Sequence, residues 1–198
     1  MAQPYSARSR AIEPFHVMAL LARANELQAA GHDVIHLEIG EPDFTTAEPI
    51  IKAGQAALSA GKTRYTAARG IPELRGAISG FYQQRYGLDI DPERIMITPG
   101  GSGALLLTSS LLVDPGKHWL LADPGYPCNR HFLRLVEGAA QLVPVGPDMR
   151  YQLTPDLVER YWDQDSVGAL VASPANPTGT VLSRDELAGL STAIKARN

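Results

Sequence analysis

An α/β fold with a mainly parallel sheet is predicted by three features of this 198-residue sequence. From residue 94 onward, short segments rich in branched and aromatic residues alternate with helix-like segments, the pattern of strands joined by crossover helices. The run VGALVAS at 167–173 is almost continuously apolar, which suits a strand buried on both faces. The 18 glycines and 15 prolines fall between periodic segments as turn punctuation, so the elements are many and short.

Taken in order, FHVMALLARANELQAA at 15–30 carries apolar residues at helical spacing and stops at Gly31. DVIHLEI at 33–39 has the branched composition of a strand and runs into the breaker string GEPDF. Helices are expected from Pro49 to Ala60 and from Pro72 to about Tyr86, the latter with proline at its start and Gly87 at its end. There follow a strand RIMIT at 94–98, a helix GALLLTSSLL, the turn Asp114–Gly116 and a strand HWLLAD. A helix NRHFLRLVEG and a strand AQLVPV come next. Thr154 caps a helix opened by Pro155, and Ser183 with Glu186 forms a capping-box pattern before the last helix.

Hydrophobic residues make up 44% and charged residues 20%, the usage of a globular chain, not of a disordered one. Eighteen Lys and Arg stand against 21 Asp and Glu, so nothing draws nucleic acid or an anionic membrane to the chain as a whole. The single cysteine, Cys128, forms no internal disulfide and no cysteine metal cage, and a reducing, cytoplasmic setting fits it. No stretch reaches the ~18 apolar residues of a membrane span, and the N-terminus lacks the apolar core of a secretory signal. His16, His32, His36, His118 and His131 show no metal-binding spacing.

Three strings carry chemistry. TPGGSGALLL at 98–107 passes through small residues into a helix whose first turn has unbonded N–H groups, a place for an anion; a plain tight turn accounts for the same residues. It is neither a P-loop nor a dinucleotide fingerprint, which disfavours ATP and NAD. In DPGYP, Tyr126 follows a strand end, where open α/β sheets bind ligands, and its ring suits stacking on a flat molecule or packing beneath a loop. In SPANPTG, Asn176 offers an amide donor past a strand end or an Asx turn, and Asp123–Pro124 and Asn176–Pro177 are candidates for cis bonds.

The ordered set LEIGEPDF, KTRYTAARGIPELR, ITPGGSGAL, DPGYP and ASPANPTGTV resembles the amino-terminal half of the class I/II aminotransferases, the fold-type I enzymes that include aspartate aminotransferases. It runs from about Ser9 to the last residue. The resemblance implies a PLP-dependent transferase-like large domain, incomplete at its C-terminus. Residues 1–45 would form the N-terminal arm, helix and strand of the small-domain region, and 46–198 a partial cofactor-binding domain.

The implied cofactor is pyridoxal 5'-phosphate, the substrates an amino acid and a 2-oxo acid, and the assembly a homodimer with shared sites. Gly101 and Ser102 would hold the cofactor phosphate, Tyr126 would stack on the pyridine ring, and Asn176 would donate to its phenolic oxygen. Tyr65 would reach the phosphate in the neighbouring subunit, and Gly40 would border the substrate carboxylate. Such chemistry also needs a lysine that carries the cofactor covalently. Lys52, Lys62, Lys117 and Lys195 all lack the family's serine-rich context, so the chain is expected to be truncated before that lysine and inactive alone. A lyase of the same fold and a non-catalytic cofactor binder are the alternatives.

Overall fold

In the computed structural model, which describes residues 5–197, a parallel sheet is built on one short strand. β1 (His118–Asp123) pairs with β2 (Ala139–Pro144) on one side and β3 (Ser166–Leu170) on the other, giving the order β2-β1-β3. Because successive side chains of a strand point to opposite faces, β1 feeds two cores. Leu120 is fully buried with Val143, Leu157, Val158 and Leu190, while Trp119 and Leu121 pack with Val113 and Leu133. Each such side chain stabilises the fold by roughly 1.5–3 kcal/mol.

Helices cover both faces. α6 (Cys128–Leu135) supplies Leu133 to the Trp119 face, joined by Val113 just past the end of α5 (Gly100–Leu112), while α7 (Pro155–Tyr161) and α8 (Arg184–Lys195) supply Leu157, Val158 and Leu190 to the other. The register of β1 on β3 slips after His118, which pairs with Ser166 while Trp119 pairs with Gly168. His118 Nε2 and Ser166 Oγ lie 2.8 Å apart at this irregular start. Among the described residues no helix is long and apolar enough to cross a membrane.

The chain divides into two compact units, one of residues 16–100 and one of residues 101–198 with the first fifteen. The first unit holds α2 (His16–Ala29), α3 (Glu48–Ser59), α4 (Pro72–Tyr86) and a 3-10 turn at Pro92–Arg94. The second also contains α1 (Ala7–Arg10), which the sequence reading missed.

Two expected strands are absent. Residues 33–37 have no regular structure, and Ile35 and Leu37 are 82% and 87% exposed. RIMIT begins with the last residue of the 3-10 turn Pro92–Arg94 and is otherwise irregular backbone. A strand exists through its neighbour's hydrogen bonds, and no strand among the described residues pairs with either segment. The sheet therefore has three strands, where the alternation predicts a fourth near residue 94. β3 also stops at Leu170, three residues short of the apolar run. The other helices stand where expected, to within a few residues, and α5 starts at Gly100.

The cap of α8 forms in full: Ser183 Oγ accepts from Glu186 N at 3.2 Å, and Glu186 Oε2 accepts from Ser183 N at 2.7 Å. The backbone N–H of Ser183, then its hydroxyl, then the Arg150 guanidinium, all on the Glu186 carboxylate, hold Glu186 down at about 2. A carboxyl depressed from 4.5 contributes stability that is complete above its unfolded pKa and lost as pH falls through about 2. Glu186→Gln should therefore lower the thermal midpoint at pH 7, with the gap to the parent closing as pH falls below 4.5; thermal melts across that range check this.

Candidate active site

A cavity of about 270 Å³ opens at the carboxyl ends of β1 and β3, where parallel α/β sheets place ligands. Strand β1 ends at Asp123, the Asp123–Pro124 bond is cis, and the chain turns at once toward Tyr126. Gly125 permits that turn, since a Cβ there would stand 2.4 Å from the Ala122 carbonyl oxygen. Beyond β3, Ser173–Pro174 and Asn176–Pro177 are also cis, and the loop brings Asn176 to the same cavity.

Tyr126 is half-buried and meets the ring of Phe15 edge-on, with centroids 6.3 Å apart. The Cys128 thiol, hydrogen-bonded to the phenol, and burial behind it push the Tyr126 pKa up, so the ring is neutral at physiological pH. Arg130 brings a cation to the cavity wall and pairs with Glu13 at 3.0 Å. The sequence reading named neither Phe15 nor Arg130.

Gln152 is the residue that organises the second loop, and it too was missed. Only 4% exposed, it donates through Nε2 to Ala172 O at 3.2 Å, Thr180 O at 3.0 Å and Thr180 Oγ1 at 3.1 Å. One amide thus ties the exit of β3 to the far end of the SPANPTG loop. Thr180 O also accepts from Ala175 N at 2.9 Å, which closes the loop around Asn176. Gln152 is delivered by two successive residues in left-handed backbone, Arg150 at φ 52° and Tyr151 at φ 57°. Conformations of this kind cost about 1–3 kcal/mol each and persist where the surroundings enforce them. Here Arg150 is fixed on Glu186, and Tyr151 N donates to Gly146 O at 2.9 Å.

The anion site expected at the start of α5 is built as a helix terminus. Gly100 adopts φ +74°, Thr98 Oγ1 donates to Gly100 O at 2.9 Å, and Gly101 and Ser102 follow in the first turn, both exposed. Beyond its chain neighbours and its own helix backbone, nothing among the described residues lies within 4 Å of where a Cβ on Gly101 would stand. The structure thus brings Tyr126 and Asn176 to one cavity, whereas Gly101 and Ser102 are not part of its wall. Gly40 and Tyr65 belong to the unit of residues 16–100, both exposed, Tyr65 completely so.

The family model for aminotransferase class I and II matches residues 32–198. The chain belongs to that family. It is 40% identical over 179 residues to a valine–pyruvate aminotransferase of Mycobacterium tuberculosis, a match covering 90% of this chain and 46% of that protein. It is 42% identical over 173 residues to a (5-formylfuran-3-yl)methyl phosphate transaminase of Methanocaldococcus jannaschii, covering 87% of this chain and 45% of that one. The crystal structure of an aminotransferase from Mycobacterium tuberculosis superposes with a TM-score of 0.94 at 37% identity, over 99% of this chain and 50% of that one. The chain spans about half the length of the curated relatives it matches. The fold is that of the aminotransferases, and this chain covers half of that structure.

Gln152→Leu keeps the volume but leaves the Ala172 carbonyl without the Gln152 donor and the Thr180 carbonyl with Ala175 N alone. It should cost roughly 1–3 kcal/mol. Amide exchange should rise across 172–180 and stay unchanged in α6, a contrast that exchange mass spectrometry reads directly.

Proposed function

We propose that the protein carrying this chain is a pyridoxal 5'-phosphate-dependent aminotransferase that moves an amino group between an amino acid and a 2-oxo acid, in the cytoplasm and as a homodimer with shared active sites. The observation that carries this reading is the cavity at the ends of β1 and β3, in a chain of the aminotransferase family, walled by a neutral aromatic ring and an exposed amide.

The residues present fit that cofactor. Tyr126 offers a flat face that stays uncharged, whereas a phenolate there would repel an anionic ligand. Asn176, exposed at the cavity wall, is a donor suited to a phenolic oxygen. Gly101 and Ser102 supply backbone N–H groups and a hydroxyl at a helix start with open space before it, which suits a phosphate. Tyr65 would reach the phosphate of the neighbouring subunit, and Gly40 would border the substrate carboxylate. When bound, the cofactor supplies an electron sink for charge released at the substrate's alpha carbon.

The chain's own residues bind and orient. Tyr126 would stack on the cofactor ring, Asn176 would donate to its phenolic oxygen, and Gly101 and Ser102 at the start of α5 would hold its phosphate. Phe15 packs against Tyr126 in a T-shaped arrangement. None of Lys52, Lys62, Lys117 or Lys195 lines the cavity, and Lys117 is held by Asp165 at 2.9 Å beside the start of β1, the opposite end of the strand. The chain alone is therefore proposed to be inactive.

Tyr126→Ala and Asn176→Leu in the protein as the cell makes it should each weaken cofactor retention about tenfold, the loss of one stacking contact or one hydrogen bond to a charged ligand. Cofactor titration followed by its absorbance checks this. The reaction itself is checked by coupled assay: 2-oxo acid should form only when a second oxo acid is consumed. Release of free ammonia without an acceptor would refute amino transfer.

A further inference from the structure

The segment 62–69 that bears Tyr65 has no regular secondary structure, and Tyr65 is completely exposed. Its near end is tied to the preceding helix, Lys62 N donating to Ala57 O at 3.0 Å, and its far end is held through Arg69. Arg69, four residues on, donates through Nη1 to Glu93 O at 2.9 Å and through Nη2 to Glu93 Oε2. The Arg69 carbonyl accepts from Ile97 N at 3.1 Å. Gly70 follows with φ +94°, and a Cβ on it would stand 2.4 Å from Ile97 Cγ1, so the chain passes directly over that side chain.

Glu93 is itself held on its other side. Its Oε1 accepts from Arg75 Nη1 at 2.9 Å, and the same nitrogen donates to Pro92 O at 3.0 Å. Arg75, on α4, is 7% exposed, and its Nε has no partner among the described residues, so its charge is met by Glu93. One carboxylate therefore spans a buried guanidinium fixed in a helix and an exposed guanidinium in the loop. Two cations on one carboxylate hold it ionised well below the ordinary glutamate range.

We infer that Glu93 is a positioning residue: by clamping Arg69 to the buried Arg75 it fixes the segment that presents Tyr65 to a cofactor phosphate. The inference rests on the proposed role of Tyr65, and the clamp itself lies entirely within residues 69–97.

Arg69→Met opens the clamp without stranding Arg75, because the Arg75–Glu93 pair survives, so it is the variant least disposed to unfold. Glu93→Gln is the companion. In the cofactor-loaded protein as the cell makes it, each should weaken pyridoxal phosphate binding about three- to tenfold, and amide exchange should quicken across residues 62–69. Tyr65→Phe should weaken binding too, and the Arg69→Met/Tyr65→Phe double variant should bind no worse than the weaker single variant, because both act through one hydroxyl. Losses that multiply would overturn the inference, since a general loss of structure adds to the Tyr65 effect. So would unchanged exchange across 62–69 in both Arg69→Met and Glu93→Gln. If Tyr65→Phe alone binds normally, the phosphate role of Tyr65 falls and with it the link from clamp to cofactor, while faster exchange would still identify the clamp as the tether of the segment.

Discussion

Burial of β1 on both faces is the constraint from which the ligand cavity follows. Leu120 cannot reach water on one side, nor Trp119 and Leu121 on the other, so the strand must lie between two helical layers. With parallel neighbours on either edge, the ends of β1 and β3 lie on one side, and the loops leaving them must turn over the same space. Tyr126 lies three residues past the end of β1 and Asn176 six past the end of β3. Neither is placed by a contact of its own so much as by where its strand stops.

A strand end fixes where a loop begins, and something else must fix its path. On the β1 side that is backbone sterics, since Gly125 is the residue that clears the Ala122 carbonyl. On the β3 side it is the buried amide of Gln152. A buried amide is costly unless satisfied, and here it is satisfied by the loop that must be ordered, so loop order and amide satisfaction are the same event. The left-handed pair Arg150–Tyr151 joins this to the cap of α8 through Glu186, linking a surface carboxylate to the cavity wall by consecutive bonds.

These differences in mechanism explain what was legible in the sequence. Helix ends at Pro72 and Gly87, the caps at Thr154 and Ser183 and the strands HWLLAD and AQLVPV are local in origin, and they could be read from neighbouring residues. Tyr126 and Asn176 were legible because their strings mark strand exits. DVIHLEI and RIMIT have the composition of strands, but no strand among the described residues pairs with them, a property of other parts of a chain that composition cannot show. Gln152 was illegible for a related reason: its acceptors, Ala172 and Thr180, lie 20 and 28 residues away. A lone polar residue before a leucine carries no mark of that. Arg75 was hidden likewise, an arginine in an amphipathic helix being an ordinary solvent-facing residue until Glu93 meets it.

The two units solve the ordering problem by different means. Residues 101–198 bury leucines, valines and a tryptophan, and their polar groups are placed relative to that core. In residues 16–100 the one buried side chain is that of Arg75, a charge. Apolar contact is non-directional and would leave the segment around Tyr65 free to slide, whereas a carboxylate shared by two guanidinium forks has one geometry. An ionic clamp thus supplies orientation where there is too little apolar burial to supply it. Its dependence on charge follows directly: Glu93 must be ionised to hold both arginines, and its depressed pKa keeps it so across the physiological range.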